Sequence, residues 1–317
     1  MFQEKHSLEM LFNAMYHGKY SYQDFISSNI ENYIQHINNK IVKTNKTFQV
    51  YHSFLNLFLF DYLPINENVV FSYRKGVNIY DLLIVHRNSK FFFQTDLKYF
   101  FPSITSEDIK KLIEKNIDMF PVVKKDIETH IDRIISLTTI NNYLAVGYST
   151  SPNLSNSILF DFDNSLSDFC QKLNIKYTRY SDDLIFSSLD KENLQKVEIE
   201  IRRLLKILFG GRIQLNTKKS KYNHQGNKVK ILGAIILPNG QISVDKKIKT
   251  KIETAIYLYL NDRNKFDDFL EKNYRKGVNQ ISGTLNYIKT IDYDYLKKLK
   301  KKYGSTVINM FLNQSIG

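Results

Sequence analysis

Apolar positions along this chain keep two rhythms, and most regions follow one of them. From residue 7 to residue 60 they recur at mixed spacings that read as mainly helical, with an aromatic-rich stretch from His52 to Tyr62. Val69 to Arg87 is ambiguous, an extended piece, VVFSYRKG, followed by a short helix or loop. Lys90 to Asp96, KFFFQTD, is sharper: a short aromatic run closed by an acid predicts a buried strand that delivers a carboxylate at its C-terminal end. A helix follows, capped by Thr105 or Ser106 with Glu107 and Asp108 in its first turn, and runs to about Met119. Another covers Lys124 to Leu137. After Gly147 and the small polar stretch YSTSPNLSN comes an amphipathic helix from about Asn153 to Leu173. Ile175 to Tyr180 and Leu184 to Ser188 alternate as two strands, a hairpin with Ser181, Asp182 and Asp183 at its tip. Residues 191 to 208 form a basic amphipathic helix, strands follow near Ile213 to Leu215, Val229 to Leu237 and Ile242 to Val244, and Lys246 to Gly317 is all-helical. Sheet and helices segregated in this way give the α+β class.

Charge sharpens this picture through its distribution. Residues 1 to 200 carry 21 Lys and Arg against 24 Asp and Glu, whereas the remaining 117 carry 24 against 8, so the net +13 arises in the C-terminal third. Residues 201 to 230 hold nine basic side chains and no acidic one, a density that attracts a polyanion or, on the plainer reading, makes a solvated face. The longest strongly apolar run, Phe54 to Phe60, is far short of the roughly 20 residues that cross a bilayer, so no membrane is expected. The lone Cys170 has no internal partner for a disulfide, and the N-terminal MFQEKHSLEM lacks the pattern of a signal peptide, so a cytoplasmic protein is expected.

The chemistry gathers around three acids. Two adjacent aspartates cannot both reach one metal from a regular strand, but the turn in YTRYSDDLIFSS can present both. Asp96 on a neighbouring strand would complete three carboxylates suited to a hard cation such as Mg²⁺, since three close acids repel unless a cation neutralises them. Taken alone, Asp182 and Asp183 are equally readable as ordinary turn residues.

The order of the motifs decides between these readings. TDLKYFFPSI (Thr95 to Ile104), then GYSTSPNLSN, then Tyr180-Ser181-Asp182-Asp183, then LNTKKSKY (Leu215 to Tyr222) and KILGAII (Lys230 to Ile236) resemble, in sequence, the palm motifs of the reverse transcriptases. The resemblance covers about residues 70 to 245 and is nearest to the bacterial retron-type and defence-associated enzymes. GTLNYIKTIDYDYLKKLKKKYG (Gly283 to Gly304) is similar to the end of a retron thumb. Three departures stand out: Ile231-Leu232-Gly233 in place of Val-Thr-Gly, Leu144-Ala145-Val146 in place of Leu-Pro-Gln, and no upstream Asn-Ala-x-x-His element.

The resemblance implies a right-hand polymerase fold, with an N-terminal helical region and fingers over 1 to 89, a palm with an antiparallel sheet and interleaved fingers elements over 90 to 245, and a helical thumb over 246 to 317. It implies an RNA-directed DNA polymerase that makes cDNA by two-metal nucleotidyl transfer. Asp96 and Asp182 would share two Mg²⁺ ions, with Asp183 supporting them and Leu97 contributing its carbonyl. Lys219, or Lys218 in its place, would protonate pyrophosphate, and Arg74 and Lys75 would grip the triphosphate; each is otherwise a plain basic surface. Phe101, five residues after Asp96, would exclude a ribose 2′-hydroxyl, and Gly147 would also meet the nucleotide, although Phe100 and Phe101 both follow an aromatic strand and one of them must pack inside. Ser149, Thr150, Ser151, Pro152 and Tyr180 would lie against template or nascent base pair, the 149 to 152 stretch being alternatively a helix N-cap. Tyr257, Tyr259, Tyr274, Tyr287, Lys297, Lys300 and Lys301 would track a hybrid duplex through its phosphates, the tyrosines being readable as helix packing instead. Partners implied are deoxynucleoside triphosphates, a structured noncoding RNA template, its cDNA product and an effector protein encoded nearby, in antiphage defence, with an oligomer left open. Two other activities remain, a template-independent or protein-primed polymerase and an inactive RNA-binding palm.

Overall fold

The computed structural model describes residues 4–38, 41–226 and 228–313 and divides by its internal contacts into two units. The first comprises Met1–Tyr73, Gln94–Ile185 and Gln195–Ser220, and the second Arg74–Phe93, Phe186–Leu194 and Lys221–Gly317.

The chain opens with helices α1 (Leu8–Tyr16) and α2 (Tyr22–Ser27), where Ser7 and Ser21 take the amides of Met10 and Asp24. Strands β1 (Ile34–Asn38) and β2 (Ile41–Thr44) then pair antiparallel before α3 (Lys46–Phe58). The stretch expected to be mainly helical is therefore interrupted by a β-pair. Its residues alternate too briefly for period alone to separate strand from helix. The ambiguous region resolves into α4 (Ile79–His86), started by a capping box between Asn78 and Asp81.

The aromatic strand is β3 (Phe91–Lys98), two residues longer at its end than its acid suggested. One-turn helix α5 (Phe100–Ser103) follows, then α6 (Ser106–Lys115) behind a Thr105 to Asp108 capping box, and α7 (Lys124–Ser136). Strands β4 (Thr139–Ile140) and β5 (Tyr143–Leu144) join through Asn141 and Asn142, whose φ values of 51° and 66° suit an asparagine turn. The single helix expected over Asn153 to Leu173 is two, α8 (Ser151–Ile158) and α9 (Phe160–Lys172), broken at Leu159 where ψ rises to 7°. Strands β6 (Lys176–Tyr180) and β7 (Asp183–Ser188) form the acid-tipped hairpin, and the basic helix is likewise split into α10 (Lys191–Gln195) and α11 (Val197–Phe209).

Strands β8 (Gln214–Leu215), β9 (Lys221–His224), β10 (Val229–Ile231), β11 (Ala234–Ile236) and β12 (Ile242–Val244) follow. β9 was not expected. The run Val229 to Leu237 is a hairpin, because Leu232 (φ 49°) and Gly233 (φ 86°) reverse the chain, with the Tyr287 hydroxyl donating to the Leu232 carbonyl at 3.2 Å. The C-terminal helices are α12 (Lys246–Asn261), α13 (Arg263–Asn273), α14 (Val278–Ile291), α15 (Tyr293–Tyr303) and α16 (Ser305–Leu312). Asp245, Asp262 and Asp292 cap three of them, accepting the amides of Lys247, Lys265 and Tyr295. The final residues of the expected helical region, 314 to 317, lie outside the described residues.

In the first unit, Phe12, Phe25, Tyr51 and Phe54 form one ring cluster, with centroids 5.0 Å apart for Phe12 and Phe25 and 5.4 Å for Phe25 and Phe54. Helix α11 buries Val197, Ile201, Leu204 and Leu205 on one stripe and packs on α9, leaving Arg202, Arg203 and Lys206 exposed. In the second unit α14 is the hub, burying Ile281, Leu285, Ile288 and Ile291 against α12, α15 and α16. The five-stranded sheet runs β6-β7-β3-β8 with β9 also on β3, and β10-β11-β12 form a separate three-stranded sheet.

Candidate active site

The sheet order places the expected acids side by side. β3 lies between β7 and β8: the Leu97 amide donates to the Asp182 carbonyl at 3.0 Å, while the Asn216 amide donates to the Asp96 carbonyl at 2.8 Å. Leu97 pairs with Leu215 across β8. Backbone bonds on both flanks thus fix the height of Asp96 in the sheet. Asp96 and Asp182 both line a cavity of about 1100 Å³, together with Leu97, Lys98, Phe101, Val146, Lys218 and Lys219.

The Asp96 side chain is 5% exposed. Its Oδ2 receives the Lys219 ammonium at 2.6 Å, whereas its buried Oδ1 has no hydrogen-bond partner. A carboxylate oxygen withdrawn from water without a donor is costly, and a hard cation is the natural complement to it. Lys219 keeps its proton firmly: the hydrogen bond and charge of Asp96, then the charges of Asp182 and Asp183, raise its pKa. With two-thirds of its own side chain in solvent, this lysine can swing away, and the pair itself adds little stability.

Asp183 is the first residue of β7 and half-buried. Among the described residues, no group of three His, Cys, Asp or Glu side chains is gathered closely enough to hold a metal ion. Asp182 and Asp183 are successive, β7 begins at the second of them, and Lys219 occupies one oxygen of Asp96. The residues fit a divalent ion, because Asp96, one of whose carboxylate oxygens is buried and unpartnered, lines one cavity with Asp182.

Other expected residues divide by position. Tyr99 turns the chain with φ at 50°, so Phe100 goes inside at 3% exposure while Phe101 stays half-buried on the cavity, their rings 5.6 Å apart edge to face. Gly147, with φ at 100°, and Ser149 are exposed, whereas Tyr148, Thr150 and Ser151 are buried and Pro152 is half-buried in the first turn of α8. The Ser151 hydroxyl donates to the Ala145 carbonyl at 2.6 Å. Its side chain, expected against the template, instead holds the segment's own bend. Tyr180 is half-buried at the end of β6.

Arg74 and Lys75 belong to the second unit, in the loop before α4 that turns at Gly76 with φ at 81°. On α15, Lys297 and Lys301 are exposed and Lys300 is half-buried; Lys297 lies 3.4 Å from Asp294 and 4.8 Å from the centre of the Tyr293 ring. The C-terminal tyrosines also separate. Tyr257 is exposed, Tyr259 is half-buried and packs on Phe266 and Phe311, and Tyr274 is buried at 3%.

One arrangement escaped the sequence reading. Arg179 and Asp163, both fully buried, form an ion pair at 2.6 Å immediately behind the acid-bearing turn. The available signal was Arg179 two residues from Tyr177, a charge on what alternation marks as an inward face.

The model of the family described as Reverse transcriptase (RNA-dependent DNA polymerase) matches residues 37–236. The chain is 27% identical over 250 residues to Retron Ec83 reverse transcriptase of Escherichia coli, covering 78% of this chain and 77% of that one. To Retron Ec73 reverse transcriptase of Escherichia coli it is 27% identical over 252 residues, covering 77% and 76%. Among solved structures, telomerase from Candida albicans aligns at a TM-score of 0.42 and 11% identity over 84% of this chain; the chain spans about half of that one, 51%.

Proposed function

Because this chain belongs to the reverse transcriptases, the RNA-dependent DNA polymerases, we propose that Asp96 and Asp182 hold its catalytic ions and that it copies a structured noncoding RNA into cDNA. The enzyme is a nucleotidyltransferase of α+β architecture, with the palm sheet and C-terminal helices of the right-hand polymerase fold. In this reading an N-terminal helical region and fingers take in residues 1 to 89, the palm with interleaved fingers elements 90 to 245 and the helical thumb 246 to 317.

The observation that carries the site assignment is that Asp96, whose Oδ1 is buried without a donor, lines one cavity with Asp182. The family implies Mg²⁺ dependence, and we assign two ions to these carboxylates, with Asp183 in support and the Leu97 carbonyl as a further ligand. Bound there, Mg²⁺ supplies a lowered pKa at the primer hydroxyl and neutralises charge on departing pyrophosphate. Lys219, protonated and within reach of the same carboxylate, offers a proton to the leaving group; before the ions bind it compensates the charge of Asp96. Phe101 presents its ring to the cavity where a ribose 2′-hydroxyl would collide, which selects deoxynucleotides. Gly147, without a side chain, and exposed Ser149 leave room for a base pair.

Similarity to the retron enzymes supports the noncoding RNA template, a role in antiphage defence and an effector partner. Among the described residues, no helix is long and apolar enough to cross a membrane. Cys170 is buried and free, its thiol pushed up to about 12 mainly by that burial.

The test is Asp96→Asn and Asp182→Asn in primer extension. Each is expected to abolish Mg²⁺-dependent synthesis while RNA binding persists, since the lost groups hold ions and the basic surface holds RNA. Near-normal synthesis by either variant refutes the assignment. Extension by the wild type with and without RNA template, together with sequencing of copurifying nucleic acid, separates templated copying from template-independent synthesis.

A further inference from the structure

The turn that carries Asp182 is one that its own sequence does not favour. Ser181 holds φ at 58°, a conformation that glycine adopts freely and a residue with a Cβ adopts at a cost. All three polar groups of Ser181 are held in place. Its amide donates to Ser72 Oγ at 2.8 Å, its carbonyl accepts from Arg179 Nη1 at 3.0 Å, and its hydroxyl accepts from the Tyr73 hydroxyl at 3.2 Å.

Behind this clamp the guanidinium of Arg179 is fully engaged. Nε donates to Asp163 Oδ1 at 2.9 Å, Nη2 to Asp163 Oδ2 at 2.6 Å, and Nη1 also to Asn156 Oδ1 at 3.1 Å. Asn156 Nδ2 in turn donates to the Ser72 carbonyl at 3.0 Å, which steadies the residue that receives the Ser181 amide. The Tyr177 hydroxyl donates to Asp163 Oδ1 at 2.8 Å. Burial alone would lower the pKa of Arg179, but the charge and hydrogen bonds of Asp163 more than reverse this. Two well-packed apolar side chains would stabilise such an interior as well as a buried ion pair does, so what the pair adds is directional bonding. That bonding ends on the Ser181 carbonyl and, through Asn156, on Ser72.

We propose that Arg179, held by Asp163 and Asn156, is a positioning residue that fixes the strained Ser181 turn and so sets where Asp182 presents its carboxylate beside Asp96. The proposal rests on the assignment of Asp96 and Asp182 as the ion-holding carboxylates.

The experiment replaces the pair in the full chain, Arg179→Leu with Asp163→Leu. Exchanging the pair for apolar residues removes both charges together but leaves the Tyr177 hydroxyl, Asn156 Oδ1 and the Ser181 carbonyl without these partners, so activity is read below the variant's own thermal midpoint, where it is folded. The thermal midpoint is expected to fall, RNA affinity of the folded variant to hold and KM for deoxynucleotide to move less than about threefold, while kcat falls about 100-fold, the scale of a misplacement of an ångström. Mn²⁺ binding, followed by electron paramagnetic resonance without substrate, should weaken alongside. Ser72→Ala removes only the hydroxyl that receives the Ser181 amide, and kcat should fall about tenfold at unchanged KM. It decides the matter if the paired variant does not fold. Wild-type kcat and Mn²⁺ binding in a folded paired variant, or wild-type kcat in Ser72→Ala, overturn the positioning role. Asp182→Asn distinguishes the two levels: if it retains synthesis the site assignment itself has failed, and if it is inactive while the paired variant is active only the positioning has failed.

Discussion

His52 offers a stability test beside the segment assigned to the nascent base pair. Its ring is wholly buried between Phe48, 4.4 Å away, and Tyr148, 4.8 Å away, and Nε2 donates to the Leu137 carbonyl at 2.8 Å. The buried Nδ1 has no partner, so a second proton there would be a charge without compensation. Burial lowers its pKa from 6.5 to about 4, opposed only in part by the Leu137 carbonyl. Between these two values the unfolded chain binds a proton that the folded chain refuses. Stability is therefore complete above the unfolded value, declines as the pH drops, and stops declining below the folded value.

A separation of that size corresponds at its limit to about 3 kcal/mol, and between pH 7 and pH 5 to about 2 kcal/mol. Urea unfolding of the wild type and His52→Gln at both pH values isolates this share, because other titrating groups are common to the two chains. The wild type should lose about 2 kcal/mol more than the variant on acidification. Parallel pH profiles would refute the reasoning, since they would mean that the ring is solvated or paired at Nδ1. Tyr148, which rests on His52, stands between Gly147 and Ser149, so acid that expels this ring also removes support from the segment assigned to the nascent base pair.

Two further expectations concern selectivity and nucleic-acid affinity. Phe101→Ala should admit ribonucleotides without unfolding the chain, because Phe100 rather than Phe101 fills the interior; primer extension with ribonucleotides checks it, and unfolding would show that Phe101 is core. Reversing Lys297, Lys300 and Lys301 to Glu should weaken RNA binding, flatten its salt dependence and shorten products without changing single-nucleotide addition, the slope falling by about 0.7 to 0.9 per lost phosphate contact. Unchanged binding and product length would make this stretch a solvated face.

Signals that act within a turn or along one strand were legible in the sequence. The aromatic run into Asp96, the Thr105 cap with its acidic first turn, the polar tip between β6 and β7 and the C-terminal helices follow from neighbours a few residues apart. The ordered motifs identified the family for the same reason, since each is a contiguous stretch. The breaks at Leu159 and at Leu232-Gly233 carry no such mark: Leu159 sits in an otherwise helical pattern, and Leu232 holds a left-handed φ that its side chain disfavours. The contact between Lys219 and Asp96 joins residues 123 apart, and it exists only once β8 has paired with β3. Likewise, whether Arg179 is a surface cation or the buried anchor of a turn depends on what covers β6. α9 answers that by bringing Asp163 against it, because a charge can stay inside only where tertiary packing delivers its partner.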